Sequence, residues 1–178
     1  LVMLAAMNAS GQWVRMENGI NYDSTIYSMC ASGSNIFAGT VSQGVFLSTN
    51  YSVSWNQTSL NNQYISYLIV RNNTIYAGSS NGVFISTNNG SSWTQTGAHM
   101  QNILSLATDG NNIYAGTNYN GVYKSTDNGI NWIQTTLNNQ AIWSLLITGN
   151  NIFAGTNGFG VHLSTNNGTS WTNTGLNN

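Results

Sequence analysis

The acids of this chain are few: Glu17, Asp23, Asp109 and Asp127, with His99 and His162 as the two imidazoles and Cys30 as the one thiol. Hydrolysis of a glycosidic bond needs two carboxyls facing each other across it. Asp109 lies in "TDGNN" and Asp127 in "STDNGINW", both Gly/Asn-rich turns. Glu17 and Asp23 stand six residues apart in the connection "MENGINYDST" (16–25), either as a pair or as two solvated loop acids. His162 aligns with Phe46, Phe84 and Tyr123, an aromatic slot on a strand, and His99 falls in a loop without an identifiable partner. Neither supplies the clustered ligands of a metal site, so no metal or cofactor is expected. Cys30 aligns with Ile69, Ala107 and Leu146, which predicts a buried, inert thiol; one cysteine allows no internal disulfide.

The chain has 178 residues, 40% hydrophobic and 11% aromatic but only 4% charged, with a net charge of -1. Disorder needs low hydrophobicity with high net charge, and this composition has neither. Arg15, Arg71 and Lys124 are its only cations. They cannot neutralise enough phosphates for nucleic-acid binding. No apolar run reaches the ~18 residues of a membrane-spanning helix.

What must position these residues is a repeat. "NIFAGT" (35–40), "TIYAGS" (74–79), "NIYAGT" (112–117) and "NIFAGT" (151–156) recur, each followed by "GVFLST", "GVFIST", "GVYKST" or "GVHLST" and then by Trp55, Trp93, Trp132 or Trp171. Each unit reads as four short β-runs between Gly/Asn/Ser turns, with no proline. In the third unit the runs are 103–108, 112–117, 121–126 and 131–136. Four strands in about 39 residues is one β-propeller blade. The fold class is therefore all-β, a propeller of four-stranded antiparallel blades at 25–62, 63–101, 102–139 and 140–178. "VMLAAMNASGQW" (2–13) aligns without a gap to "GVYKSTDNGINW" (121–132), so residues 1–24 read as the last two strands of a further blade with an enlarged connection. The competing reading of "LVMLAAMNAS" is the tail of a signal peptide. About four and a half blades then form a five-bladed ring with a thin blade, part of a larger ring, or a protomer closed by another chain.

Position for position, Asn50, Asn88, Asp127 and Asn166 occupy one site of "STNYSVSW", "STNNGSSW", "STDNGINW" and "STNNGTSW", with "AMNASGQW" (6–13) as a worn copy. An Asx side chain accepts backbone N–H bonds a few residues on, and glycine takes positive φ without strain, so the segment is a tight third-to-fourth-strand turn. The tryptophan supplies an apolar face between blades, with its N–H free for a turn acceptor. An amide cannot replace a carboxyl that transfers protons, and three of four copies carry the amide. Asp127 is thus a turn residue. This spacing resembles the Asp-box, or bacterial neuraminidase repeat, Ser-x-Asp-x-Gly-x-Thr-Trp, and the resemblance covers nearly the whole chain. It implies a propeller of the kind found in sialidases, xyloglucan-cleaving glycoside hydrolases, sortilin-type receptors and photosystem assembly factors. A sialidase would also require three arginines, and only Arg15 and Arg71 exist.

The boxes and the first-to-second-strand turns share one rim, where the repeats agree. On the opposite rim they diverge: Tyr119 and Phe159 replace small polar residues in the second-to-third-strand loops, and Tyr22, Tyr64, His99 and Trp143 mark the fourth-to-first connections. Aromatic faces among amides and hydroxyls suit a neutral glycan or a protein segment. The expectation is a non-catalytic binding module, secreted or on the cell surface, with a glycan or protein partner. A glycoside-hydrolase fragment and a self-associating repeat that closes its ring as a homo-oligomer are the alternatives.

Overall fold

Short runs of Ile, Val, Phe and Tyr between Gly and Asn pairs favour strands joined by tight turns, and strands are what forms. The computed structural model describes residues 5–7, 13–15, 19–20, 24–97, 100 and 102–176, the first two segments as backbone. Among them there is no helix, and so none long and apolar enough to cross a membrane.

Blade 1 consists of β3 (Ile26–Ser32), β4 (Asn35–Thr40), β5 (Val45–Ser48) and β6 (Asn56–Gln57). Blade 2 is β7 (Ile65–Arg71), β8 (Thr74–Ser79), β9 (Gly82–Ser86) and β10 (Thr94–Thr96). Blade 3 is β11 (Ile103–Thr108), β12 (Ile113–Thr117), β13 (Val122–Ser125) and β14 (Ile133–Gln134). Blade 4 is β15 (Ile142–Thr148), β16 (Asn151–Thr156), β17 (Val161–Ser164) and β18 (Thr172–Asn173). Every blade is an antiparallel meander in sequence order. This is the all-β propeller architecture, and it puts the second-to-third loops and the box turns at opposite ends of each blade.

The core lies between blades. The glycine of each "AGT" or "AGS" leaves a socket into which the first residue of the next blade's inner strand fits: a Cβ on Gly39 would lie 2.6 Å from Ile65 Cγ2, on Gly78 2.7 Å from Ile103 Cγ2, and on Gly116 2.7 Å from Ile142 Cγ2. All three isoleucines are fully buried. The tryptophans work across the same junctions. Trp132 packs with Tyr76, Val83 and Met100 of blade 2, and Trp93 and Trp171 pack on blades 1 and 3.

Two details differ from the expected pattern. The outer strands are only two or three residues long; after Gln134 the chain turns so that Leu137 is buried and its carbonyl accepts the Val122 N–H at 2.9 Å. An N-terminal hairpin exists, β1 (Ala5–Met7) with β2 (Trp13–Arg15), but its pairing of Met7 with Trp13 is one residue displaced from that of the other blades. Its box carries Ala6 where the others have serine.

Candidate functional site

At the box rim each turn is closed by the same three hydrogen bonds. In blade 2 the Ser86 hydroxyl donates to Asn88 Oδ1 at 3.0 Å and accepts the Gly90 N–H at 2.8 Å, and the Ser92 N–H donates to Asn88 Oδ1 at 2.9 Å. Blade 3 repeats this with Ser125, Asp127, Gly129 and Asn131, and blades 1 and 4 build it on Asn50 and Asn166. The fourth contact depends on the spelling. Asn50, Asn88 and Asn166 each donate Nδ2 to the hydroxyl of Ser54, Ser92 or Ser170, at 2.9, 2.8 and 2.8 Å. Asp127, which has no donor, instead accepts Asn131 Nδ2 on Oδ2 at 2.7 Å. Asn with Ser and Asp with Asn are two spellings of one donor–acceptor pair, visible in the sequence as a change four residues on. The tryptophan N–H expectation holds only for Trp132, which donates to the Gly129 carbonyl at 2.8 Å. Trp55, Trp93 and Trp171 bury Nε1 without a partner among the described residues; for Trp171 the corresponding Thr135 hydroxyl is also unpaired.

The two described acids are both consumed by turns. Hydrogen bonds from the Asn131 backbone and side chain hold the Asp127 carboxyl below its ordinary value. Burial pushes Asp109 up, but donors from Asn112 and Asn111 at 2.6–2.8 Å outweigh it and its value is lowered. Stability conferred by a depressed carboxyl is complete above the unfolded value, about 4, and is lost as pH falls through the folded one. The double variant Asp127→Asn/Asn131→Ser, which converts box 3 to the spelling of boxes 2 and 4, is therefore expected to melt within ~2 °C of the parent at pH 7. It should also lose less stability than the parent on acidification to about pH 3. Calorimetry at both pH values checks this; a fall of ~10 °C at pH 7 would mean that the carboxylate itself is required.

Cations tie the box rim together across blades. Arg71, at the end of β7, donates Nε and Nη2 to the Gly110 carbonyl at 3.0 and 2.7 Å and Nη1 to Asn128 Oδ1 at 2.8 Å. These bonds confirm that first-to-second turns and boxes share a rim. Lys124 Nζ donates to the Asn167 carbonyl at 3.3 Å and lies 5.8 Å from the Tyr114 ring centroid. Each clasp borders a cleft, one of about 490 Å³ between blades 2 and 3 and one of about 380 Å³ between blades 3 and 4, each with four threonines in its lining. Sequence reasoning did not anticipate these clefts, because they arise from the step between consecutive blades.

The opposite rim has a fixed frame with variable tips. In three blades a threonine caps the second-to-third loop: Thr117 Oγ1 donates to the Gly121 carbonyl and accepts the Asn120 N–H, both at 2.9 Å, and Thr40 and Thr156 donate to Gly44 and Gly160. An outer-strand amide ties down each tip: Gln134 Nε2 on the Asn120 carbonyl at 2.7 Å, Asn173 Nδ2 on the Phe159 carbonyl at 2.8 Å. The rings that these frames carry project into solvent, Tyr119 67% and Phe159 59% exposed. Trp143, second residue of β15, is 57% exposed. Tyr64 is half-buried and meets Tyr27 edge-on with centroids 5.4 Å apart. Tyr27 stands in a column, with Ser66, Leu104 and Trp143, that diverges like the loops. Tyr22 and His99 lie outside the described residues, as do Glu17 and Asp23. His162 is on β17, its ordinary value lowered by burial. Cys30 is a half-buried thiol that burial pushes up to about 12. Among the described residues no three His, Cys, Asp or Glu side chains group as metal ligands.

No family model matches the chain, and no curated protein does. Solved structures do. The computationally designed Ika4 protein superposes with a TM-score of 0.68 at 12% identity, over 81% of this chain and 92% of that one. An ancestral GH74 enzyme gives 0.73 at 22% identity over 96% of this chain and 25% of the enzyme. PorZ, a surface component of the type-IX secretion system of Porphyromonas gingivalis, gives 0.68 at 15% identity over 91% and 30%. The chain thus spans nearly all of Ika4 but only a quarter to a third of the enzyme and of PorZ, and at these identities the likeness is one of fold: this chain is similar in architecture to β-propeller proteins.

Proposed function

We propose that this chain is a non-catalytic propeller module that binds a glycan or a protein segment through the rim opposite its boxes, in an extracellular setting. The observation that carries it is the pairing of exposed aromatic rings with immobilised loop backbones: Tyr119 and Phe159 stand on tips held by threonine caps and outer-strand amides. Pre-ordered loops lose little entropy on binding, and a ring exposed on such a loop offers an apolar face on which a ligand can stack. At the box rim Asp109 and Asp127 are spent on turns, which supports a role without acid–base chemistry. Likeness to a GH74 enzyme keeps a hydrolase fragment as the alternative. The neighbours include a bacterial surface component, which supports the extracellular setting.

The test is a glycan array and a tagged-protein pull-down from bacterial surface extract, each run with the parent and with Tyr64→Ala/Tyr119→Ala/Phe159→Ala. Binding by the parent that falls at least about 10-fold in the variant, a loss of roughly 1.4 kcal/mol, is the expected result. No ligand in either format, binding indifferent to the three substitutions, or release of sugar from an arrayed glycan overturns the proposal, the last in favour of the hydrolase.

A further inference from the structure

We propose that the serines of boxes 2, 3 and 4 also shield the Asn-Gly pairs beside them from deamidation, and that Asn157, on the opposite rim, is the asparagine that converts. Among the described residues Asn-Gly occurs at 81–82, 89–90, 120–121, 128–129, 157–158 and 167–168. It is the pair most open to this reaction, because glycine puts no side chain in the way. The glycine nitrogen loses its proton and attacks the asparagine Cγ. A C–N bond closes a succinimide ring, the Cγ–Nδ2 bond breaks, and Nδ2 leaves as ammonia. Water then opens the ring to aspartate or isoaspartate, so water is consumed, ammonia is released and nothing is oxidised or reduced. A glycine N–H already donated to an acceptor resists both steps: it is harder to deprotonate, and its peptide plane cannot swing onto Cγ without breaking the bond.

Five of these glycines are held. Ser86, Ser125 and Ser164 accept the N–H groups of Gly90, Gly129 and Gly168 at 2.8, 2.8 and 2.9 Å, and all three glycines are buried. Gly121 donates to the Gln140 carbonyl at 2.9 Å, and Gly82 is buried opposite Ser79 at the end of the β8–β9 ladder. Gly158 differs on every count. Its N–H has no acceptor among the described residues, both Asn157 and Gly158 are exposed, and a Cβ on Gly158 would meet nothing within 4 Å, which leaves room for the ring. The neighbours on either side are tied, Asn157 N–H to the Ala141 carbonyl at 3.0 Å and the Phe159 carbonyl to Asn173 Nδ2 at 2.8 Å. Blade 3 spells the same loop "TNYNG", which moves its Asn-Gly onto the held Gly121; "TNGFG" in blade 4 puts it at the free tip. Conversion adds one negative charge beside Phe159 in a chain whose net charge is -1. Isoaspartate also carries its Cβ in the main chain and so lengthens the tip. The reaction needs no ligand at the loop rim and is independent of the proposed binding.

Incubation of the folded chain at mildly alkaline pH, followed by proteolysis and peptide mass mapping, tests this through the mass gain of each amide-to-acid conversion. Asn157 should convert at least ~10-fold faster than Asn89, Asn128 or Asn167, the ratio given by about 1.4 kcal/mol of barrier. In denaturing urea, where no serine is held against a glycine, the four should convert at closely similar rates. Ser86→Ala should speed conversion of Asn89 roughly 5-fold, the worth of one ordinary hydrogen bond, and leave Asn167 unchanged. Circular dichroism checks that this variant is folded; Ser164→Ala, read at Asn167, substitutes if it is not. Asn157→Gln should remove the fast conversion. Asn157 converting no faster than the three box asparagines in the folded chain, rate differences that persist in urea, or a folded serine variant whose asparagine converts at the parent rate overturns the proposal.

Discussion

Gly121→Ala is expected to lower the melting temperature by roughly 6–15 °C, from a loss of about 3–4 kcal/mol. Gly121 opens β13 at φ +70°, a conformation that costs an L side chain energy in any setting. Here the setting is also closed. An added Cβ would collide with the carbonyl oxygen and α-carbon neighbourhood of Leu137 and Asn138, backbone atoms that have no rotamer to yield. The Leu137 carbonyl accepts the Val122 N–H, and Gly121 itself donates to the Gln140 carbonyl at 2.9 Å, so displacement breaks two backbone hydrogen bonds together. Gly149 is the control. Its φ is +56° but nothing lies within 4 Å of the added Cβ, and the corresponding turn of blade 2 holds Asn72 and Asn73 at φ 49° and 60°. Gly149→Ala should cost about 1 kcal/mol, and Gly149→Asn less. Equal losses at Gly121 and Gly149 would show that backbone strain alone, and not the close approach of the Leu137–Asn138 backbone, limits the loop.

The second large effect is at the blade junction. Ile103→Ala should cost about 2–5 kcal/mol, since its side chain is fully buried in the blade 2–3 core and leaves a cavity that rigid strands cannot collapse. Gly78→Ala alone should cost about 1–3 kcal/mol, because its Cβ would sit 2.7 Å from Ile103 Cγ2. Together they should cost less than their sum by about 1 kcal/mol or more: the methyl that clashes with isoleucine occupies part of the space that isoleucine vacates. Denaturant titration of the four proteins in the cycle measures this. Additivity within ~0.5 kcal/mol would mean that knob and socket do not touch in solution.

Much of this was legible in the sequence, for an identifiable reason. A repeat prints its own comparison, so Asn50, Asn88 and Asn166 in one column told that Asp127 is a turn residue, and the structure puts the same three bonds on all four. The shared rim of boxes and first-to-second turns followed from strand count, and Arg71 bridges both. What stayed hidden depends on the offset between consecutive blades. "AGT" is plainly conserved from unit to unit, but that its glycine is a socket for Ile65, Ile103 or Ile142 needs the neighbouring blade in place. The clasp made by Arg71 and the clefts beside it are of the same kind. The displaced register of the N-terminal hairpin does not show in the gapless alignment of "VMLAAMNASGQW", because matching residue types at equal spacing does not fix which residues pair across the turn.

The division of labour between rims is the central claim, and one paired measurement addresses it. Tyr119→Ala/Phe159→Ala and Asp127→Asn/Asn131→Ser are compared with the parent for melting temperature by calorimetry and for binding to the ligand found on the array. Exposed rings on pre-tied loops should be removable without structural cost, so the first variant keeps its melting temperature within ~2 °C and loses binding. The second, a respelled turn, should keep both. A melting temperature that collapses in the aromatic variant, or binding that is lost in the box variant and retained in the aromatic one, would contradict the account and move the functional surface to the rim of the boxes.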